Sequence, residues 1–106
     1  MEKKSRKENI LTMLKTEPQD VFLNYALAME FLGETDFINA EIQFQKTLKI
    51  NEEYLPCFYQ LGQVNEKLNN ANLAIQFYTK GIELAKKQGN TKALGELKEA
   101  LWLLED

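Results

Sequence analysis

A bulky–small–bulky helical stripe occurs twice in this chain, 34 residues apart, and that recurrence limits the fold more than any other feature. In 36–50, DFINAEIQFQKTLKI, the side chains of Phe37, Ala40, Phe44, Thr47 and Leu48 fall on one side of a 3.6-residue helix. In the later stretch NLAIQFYTKGIEL, Ala74 stands where the first copy has Ala40. Tyr78 stands for Phe44, Gly81 for Thr47 and Ile82 for Leu48. A methyl group in the middle of such a stripe lets a second helix approach closely. Repetition at this period is the mark of stacked helical hairpins.

Six helices follow from local signals. Ser5 and Glu8 have capping-box spacing, and Ile10, Leu11 and Leu14, with Met13, give the first helix its apolar face. Pro18 ends that segment, so the helix is expected at 5–16. Asp20 caps a second helix at 21–32, with Leu23, Leu27, Ala28 and Phe31 at helical spacing. Gly33 is expected to end it, with Glu34, Thr35 and Asp36 as the turn. The third helix covers 37–50. Pro56 sits in the first turn of a fourth, 55–67, where its missing N–H costs nothing. Asn69 and Asn70 make the next turn. A fifth helix is expected at 71–86, ended by Gly89, and a sixth at 92–104, capped by Asn90 or Thr91. Turns this short make antiparallel neighbours. No segment alternates with period two, so the class is all-α.

Composition removes several functions. The 106 residues fit one domain by size, and a net charge of −3 gives no footprint for nucleic acid. The basic cluster Lys3, Lys4, Arg6 and Lys7 is interleaved with Glu2 and Glu8 and reads as a solvated helix start. The apolar run Ile10 to Leu14 is broken by Thr12 and is too short for a signal-peptide core. No stretch approaches a membrane span, and a reducing, cytoplasmic setting is expected. The chain has no histidine and one cysteine, which leaves no zinc site and no Cys–His nucleophile pair. Cys57 reads as a small packing residue. No Gly-rich phosphate cradle occurs. No cofactor, no metal and no catalytic residue are expected.

The residues resemble the tetratricopeptide repeat family, whose pattern is W-x2-L-G-x2-Y, then A-x3-F, then P. Residues 21–54 read Asn24-x2-Leu27-Ala28-x2-Phe31, then Ala40-x3-Phe44, with Glu52 in the proline slot. Residues 55–88 read Phe58-x2-Leu61-Gly62-x2-Asn65, then Ala74-x3-Tyr78, with Lys86 in that slot. Segment 1–20 resembles the second half of a repeat, with Pro18 in the proline position and Ile10 aligned to Phe44 and Tyr78. Segment 89–106 resembles a capping helix, with Leu94-Gly95 as a remnant of the Leu-Gly pair. The resemblance implies a right-handed superhelical stack of about two and a half repeats in one domain.

It also implies a non-catalytic adaptor that binds a peptide or extended segment of another protein in a concave groove. The groove would be lined by Phe22, Tyr25, Ala26 and Met29, then Tyr59, Gln60 and Gln63. For Phe22 and Met29 a core role against the first helix or the next hairpin competes with the groove role. Some family members clamp a terminal carboxylate with cationic side chains. Tyr25, Met29 and Gln60 occupy those places here, so a chaperone-tail function is not indicated. Ile38 and Ile42 lie one turn apart, off the core stripe, and read either as contacts to the first helix or as a second contact patch. Trp102 reads as an interface residue or as a lid over its own last turn. The alternative function is a self-associating structural module, so the expected state is a monomer or a weak homodimer.

Overall fold

The computed structural model describes residues 3–105 and is all-helical over them. The outer bounds of the expected terminal segments, 1 and 106, lie outside these residues. The helices are α1 (Arg6–Thr16), α2 (Val21–Gly33), α3 (Phe37–Ile50), α4 (Pro56–Lys67), α5 (Ala71–Gln88) and α6 (Thr91–Glu105). They fall into two compact units, Met1–Glu52 and Glu53–Asp106.

The helix starts follow the side chains expected to make them. Ser5 Oγ accepts the Glu8 N–H at 3.1 Å, and the Glu8 carboxylate accepts the Ser5 N–H at 3.4 Å. Asp20 accepts from Leu23 N at 2.8 Å, and Asp36 accepts from Asn39 N at 3.3 Å. The Asn39 side chain also donates to Asp36, and these bonds hold that carboxyl below its ordinary pKa. Between the two candidates for the sixth helix, the cap is Asn90, which accepts from Ala93 N at 3.0 Å. Pro56 stands at the start of α4 as expected. Helix α5 is longer than expected by two residues and ends on Gly89 in the left-handed region, φ 67°.

The end of α2 falls at the expected glycine, and the expected turn after it holds a left-handed residue. Gly33 is its last helical residue, and the left-handed residue is Thr35, φ 56°. Its counterpart 34 residues on, Asn69, has φ 59°. In both turns the next N–H closes back on a helical carbonyl, from Asp36 to Phe31 at 2.9 Å and from Asn70 to Asn65 at 2.8 Å. Asn90 N repeats the closure onto Ala85 O at 2.9 Å. The closure places the left-handed residue one step before its donor, so it falls on position 35 and not on the nearby glycine.

In the first unit α2 packs on α3 and α1 packs on α2. Leu27, Ala28, Ala40, Phe44 and Thr47 are buried, as is Ile10 from α1. Leu11 and Met13 are exposed, so the inner side of α1 is narrower than its apolar sequence. Lys7 spans α1 to α2, bonding Glu34 at 3.0 Å with its ammonium 4.4 Å from the Phe31 ring centre. Asn24 fills the position of the family tryptophan. Its amide donates to Pro18 O at 3.0 Å and Asp20 O at 2.8 Å, and accepts from Gln43 Nε2 at 2.7 Å. The second unit has Phe58 and Phe77 at the same two repeat positions, both buried.

In the second unit α5 is the central helix, packed on both α4 and α6. Ala74, Tyr78, Ala85, Leu97 and Ala100 form one core cluster with Leu55. Gly62 lets the Tyr78 ring lie directly on the α4 backbone, since a Cβ there would sit 2.1 Å from Tyr78 Cε1. Gly81 is likewise enclosed, by Phe58 Cβ and Leu97. Gly95, the expected remnant of a Leu-Gly pair, has nothing within 4 Å of such a Cβ. Cys57 is fully buried, and burial pushes its thiol up to about 12.

Candidate surfaces for partner binding

Each unit holds a depression beside the tyrosine of its hairpin. In the first unit Phe22, Tyr25, Ala26 and Met29 line a cavity of about 670 Å³. Ile10 and Met13 of α1 form its opposite wall. Phe22 is 67% exposed, and Tyr25, Ala26 and Met29 are half-buried. The competing core role for Phe22 and Met29 therefore fails for Phe22 and is partial for Met29. Tyr25 reaches inward as well, its ring centre 5.6 Å from that of Phe44. At the rim stand Glu17, Asp20, Glu30 and one cation, Arg6, which pairs with Glu30 at 3.6 Å.

In the second unit Tyr59 and Gln63 line a cavity of about 410 Å³ whose far side is α6, through Glu96, Glu99, Ala100 and Leu103. Gln60 is half-buried and does not line it. The Tyr59 ring lies 6.3 Å from that of Tyr78. Gln63 Nε2 donates to Tyr78 Oη at 2.7 Å, and the same hydroxyl donates to the Glu66 carboxylate. Burial, and then this carboxylate, hold the Tyr78 phenol well above the ordinary tyrosine range. Glu66 is thus a carboxylate fixed in place from the core outward.

The remaining expected surface residues stand in solvent. Ile38 and Ile42 are 65% and 58% exposed, so they are not covered by the first helix. Trp102 is 73% exposed and Leu103 beside it 61%, so the indole is not a lid over its own turn. The α1 wall of the first depression is the neighbour weighed for a core role of Phe22 and Met29, whereas the α6 wall of the second was not expected from sequence. Glu96, Glu99 and Leu103 fall at i, i+3 and i+7, which is the spacing that could have shown them. Among the described residues, no group of three or more Asp, Glu, Cys or His side chains is gathered as metal ligands are, and no helix is long and apolar enough to cross a membrane.

No family model and no curated protein matches this sequence. Solved structures do. A tetratricopeptide repeat domain protein from Salinibacter ruber, solved in solution, is 35% identical with a TM-score of 0.78, over 83% of this chain and 89% of that one. A crystal structure of such a domain from the same organism is 35% identical with a TM-score of 0.76, over 81% of this chain and 97% of that one. A Bordetella parapertussis protein superposes with a TM-score of 0.87 over 97% of this chain and 90% of its own. At 19% identity that last likeness is one of fold.

Proposed function

The chain belongs to the tetratricopeptide repeat family, and on that premise we propose that it is a non-catalytic, cytoplasmic adaptor that holds a peptide or extended segment of a partner protein along the first helices of its hairpins. The observation that carries this reading is Phe22, an exposed ring on the edge of an apolar depression backed by Tyr25 and Met29. An exposed aromatic over such a hollow is the anatomy of a binding anchor, and Met adapts to varied apolar side chains. Nucleic acid and membrane surfaces are poor partners for a rim rich in carboxylates.

The test begins with peptides selected from a random displayed library on the immobilised protein. Phe22→Ala should leave stability within about 0.5 kcal/mol, since the ring is mostly in solvent. It should weaken the selected peptides by about 1 kcal/mol or more. Peptides that bind the variant as well as the parent would remove the first depression from the function. A second reading, self-association, is favoured by the exposed Trp102–Leu103 pair and by Ile38 and Ile42. Under the adaptor reading, light scattering gives a monomer at micromolar concentration. A dimer dissolved by Trp102→Ala would favour self-association.

A further inference from the structure

We infer that the partner segment carries a lysine or arginine flanked by apolar residues, and that this basic side chain enters the second-unit depression between Tyr59 and the carboxylates of Glu66, Glu96 and Glu99. The inference rests on the adaptor reading above and names the chemistry of its ligand. Among the described residues, three carboxylates line that hollow, and no lysine or arginine does. None of the three is in an ion pair. Glu66 is held by the buried Tyr78 hydroxyl, so one acceptor is oriented before any ligand arrives. The rest of the lining is the Tyr59 ring, the Gln63 side chain that bonds Tyr78, Ala100 and the exposed Leu103.

That combination fits one kind of side chain. The methylene stem of Lys or Arg packs on apolar surface while its head reaches a carboxylate, and a tyrosine face attracts the cation further. An acidic segment would meet like charge. A bare metal ion would want ligands gathered around a point, which these side chains are not. The first unit has the same character by itself. Its depression pairs Tyr25, at the same repeat position as Tyr59, with Glu17, Asp20 and Glu30 against the single cation Arg6. Two hollows at equivalent tyrosines, each net acidic and each with apolar side chains in its lining, select a basic and apolar segment.

The experiment follows amide resonances of the intact protein by NMR on addition of the blocked tripeptides Leu-Arg-Leu, Leu-Lys-Leu, Leu-Gln-Leu and Leu-Glu-Leu. The expected result is saturable shifts at the Gln63 side-chain amide, Ala100 and Leu103. The basic peptides should bind at least 5-fold more tightly than the glutamine peptide, as about 2- to 5-fold per carboxylate predicts. Glu96→Gln with Glu99→Gln, both surface changes, should reduce the preference for the basic peptides to the roughly 2- to 5-fold that Glu66 alone supports. Equal binding of the basic and neutral peptides would overturn the charge preference and leave the adaptor reading standing. If no peptide moves these resonances, both readings fail at this hollow. Spermidine producing the same shifts as strongly as Leu-Arg-Leu would assign the site to free polyamines and overturn the segment assignment, as would shifts spread over every acidic surface.

Discussion

Gly62→Ala adds one methyl group to the tightest point of the second hairpin. The new Cβ would stand 2.1 Å from Tyr78 Cε1 and 2.5 Å from Cδ1 and Cζ, so the ring edge must retreat by about 1.3 Å to reach ordinary contact. Tyr78 is fully buried and cannot swing into solvent. Its hydroxyl is also tied, receiving from Gln63 and donating to Glu66. Overpacking of this kind costs about 1–3 kcal/mol. Displacing the hydroxyl adds about 0.5–1.5 kcal/mol for the neutral bond and about 1.5–3 for the charged one. Alanine returns about 1 kcal/mol of helix propensity. The net expectation is a loss of about 2–6.5 kcal/mol, read from urea melts followed by circular dichroism. Gly95→Ala is the control, with open space around its Cβ on an exposed stretch of α6. It should gain up to about 1 kcal/mol. The first unit shows how the strain can be relieved, because there Ala28 and Phe44 occupy the two positions and both are fully buried. Gly62→Ala combined with Tyr78→Phe should therefore cost less than the two single changes added together. A Gly62→Ala protein as stable as Gly95→Ala would refute the packing argument.

Three further outcomes can be checked. Thr35→Gly should stabilise by about 0.5–1 kcal/mol in the same melts, because a β-branched residue at φ 56° gives up about 1–2 kcal/mol and glycine's added chain entropy takes back part of it; Asn69→Gly should gain less, asparagine being tolerant of that region. Cys57 should stay unmodified by a disulfide reagent at pH 8 in the native protein and react fully in denaturant, since a thiol pushed up to about 12 is almost wholly protonated there; prompt native labelling would contradict its placement. Ala40→Leu and Ala74→Leu should each lose about 1–3 kcal/mol, because both methyl groups are fully enclosed, and unchanged melts would break the register on which the repeat was read.

Local chemistry was the legible part of the fold. The Ser5–Glu8 box, the Asp20 cap and Pro56 act across three residues or fewer, so their spacing alone identifies them. The 34-residue offset carried the rest, because Ala40 and Ala74 report a close helix crossing whatever surrounds them. Which residue of the turn 34–36 takes positive φ was not legible, because the hydrogen bond from Asp36 to Phe31 decides it and the nearby glycine lies outside the turn. On the candidate surfaces, Tyr25, Met29, Tyr59 and Gln63 could be found by their place in the repeat. The wall opposite Tyr59 and Gln63 could not, since Glu96 and Glu99 come from the last helix, outside the repeated motif. The inward grip of Tyr78 on Glu66 also escaped, because nothing in a sequence tells which carboxylate a buried hydroxyl will meet.

The buried amide couple of the first hairpin bears on how the chain avoids misfolding. Two hairpins built on one 34-residue pattern invite exchange, in which a helix of one repeat pairs with the wrong partner within a molecule or in a swapped dimer. Pairing α2 with α5 would set Asn24 against Phe77, and pairing α4 with α3 would set Phe58 against Gln43. The bond from Gln43 Nε2 to Asn24 Oδ1 would then be lost at both ends. Each amide group stranded in an apolar crossing costs about 1–3 kcal/mol. Replacing Asn24 and Gln43 together by phenylalanine would remove that penalty at these two positions. The substituted protein should refold with a larger swapped fraction, seen as a slow dimer peak on gel filtration after concentrated refolding, even where its native monomer is no less stable.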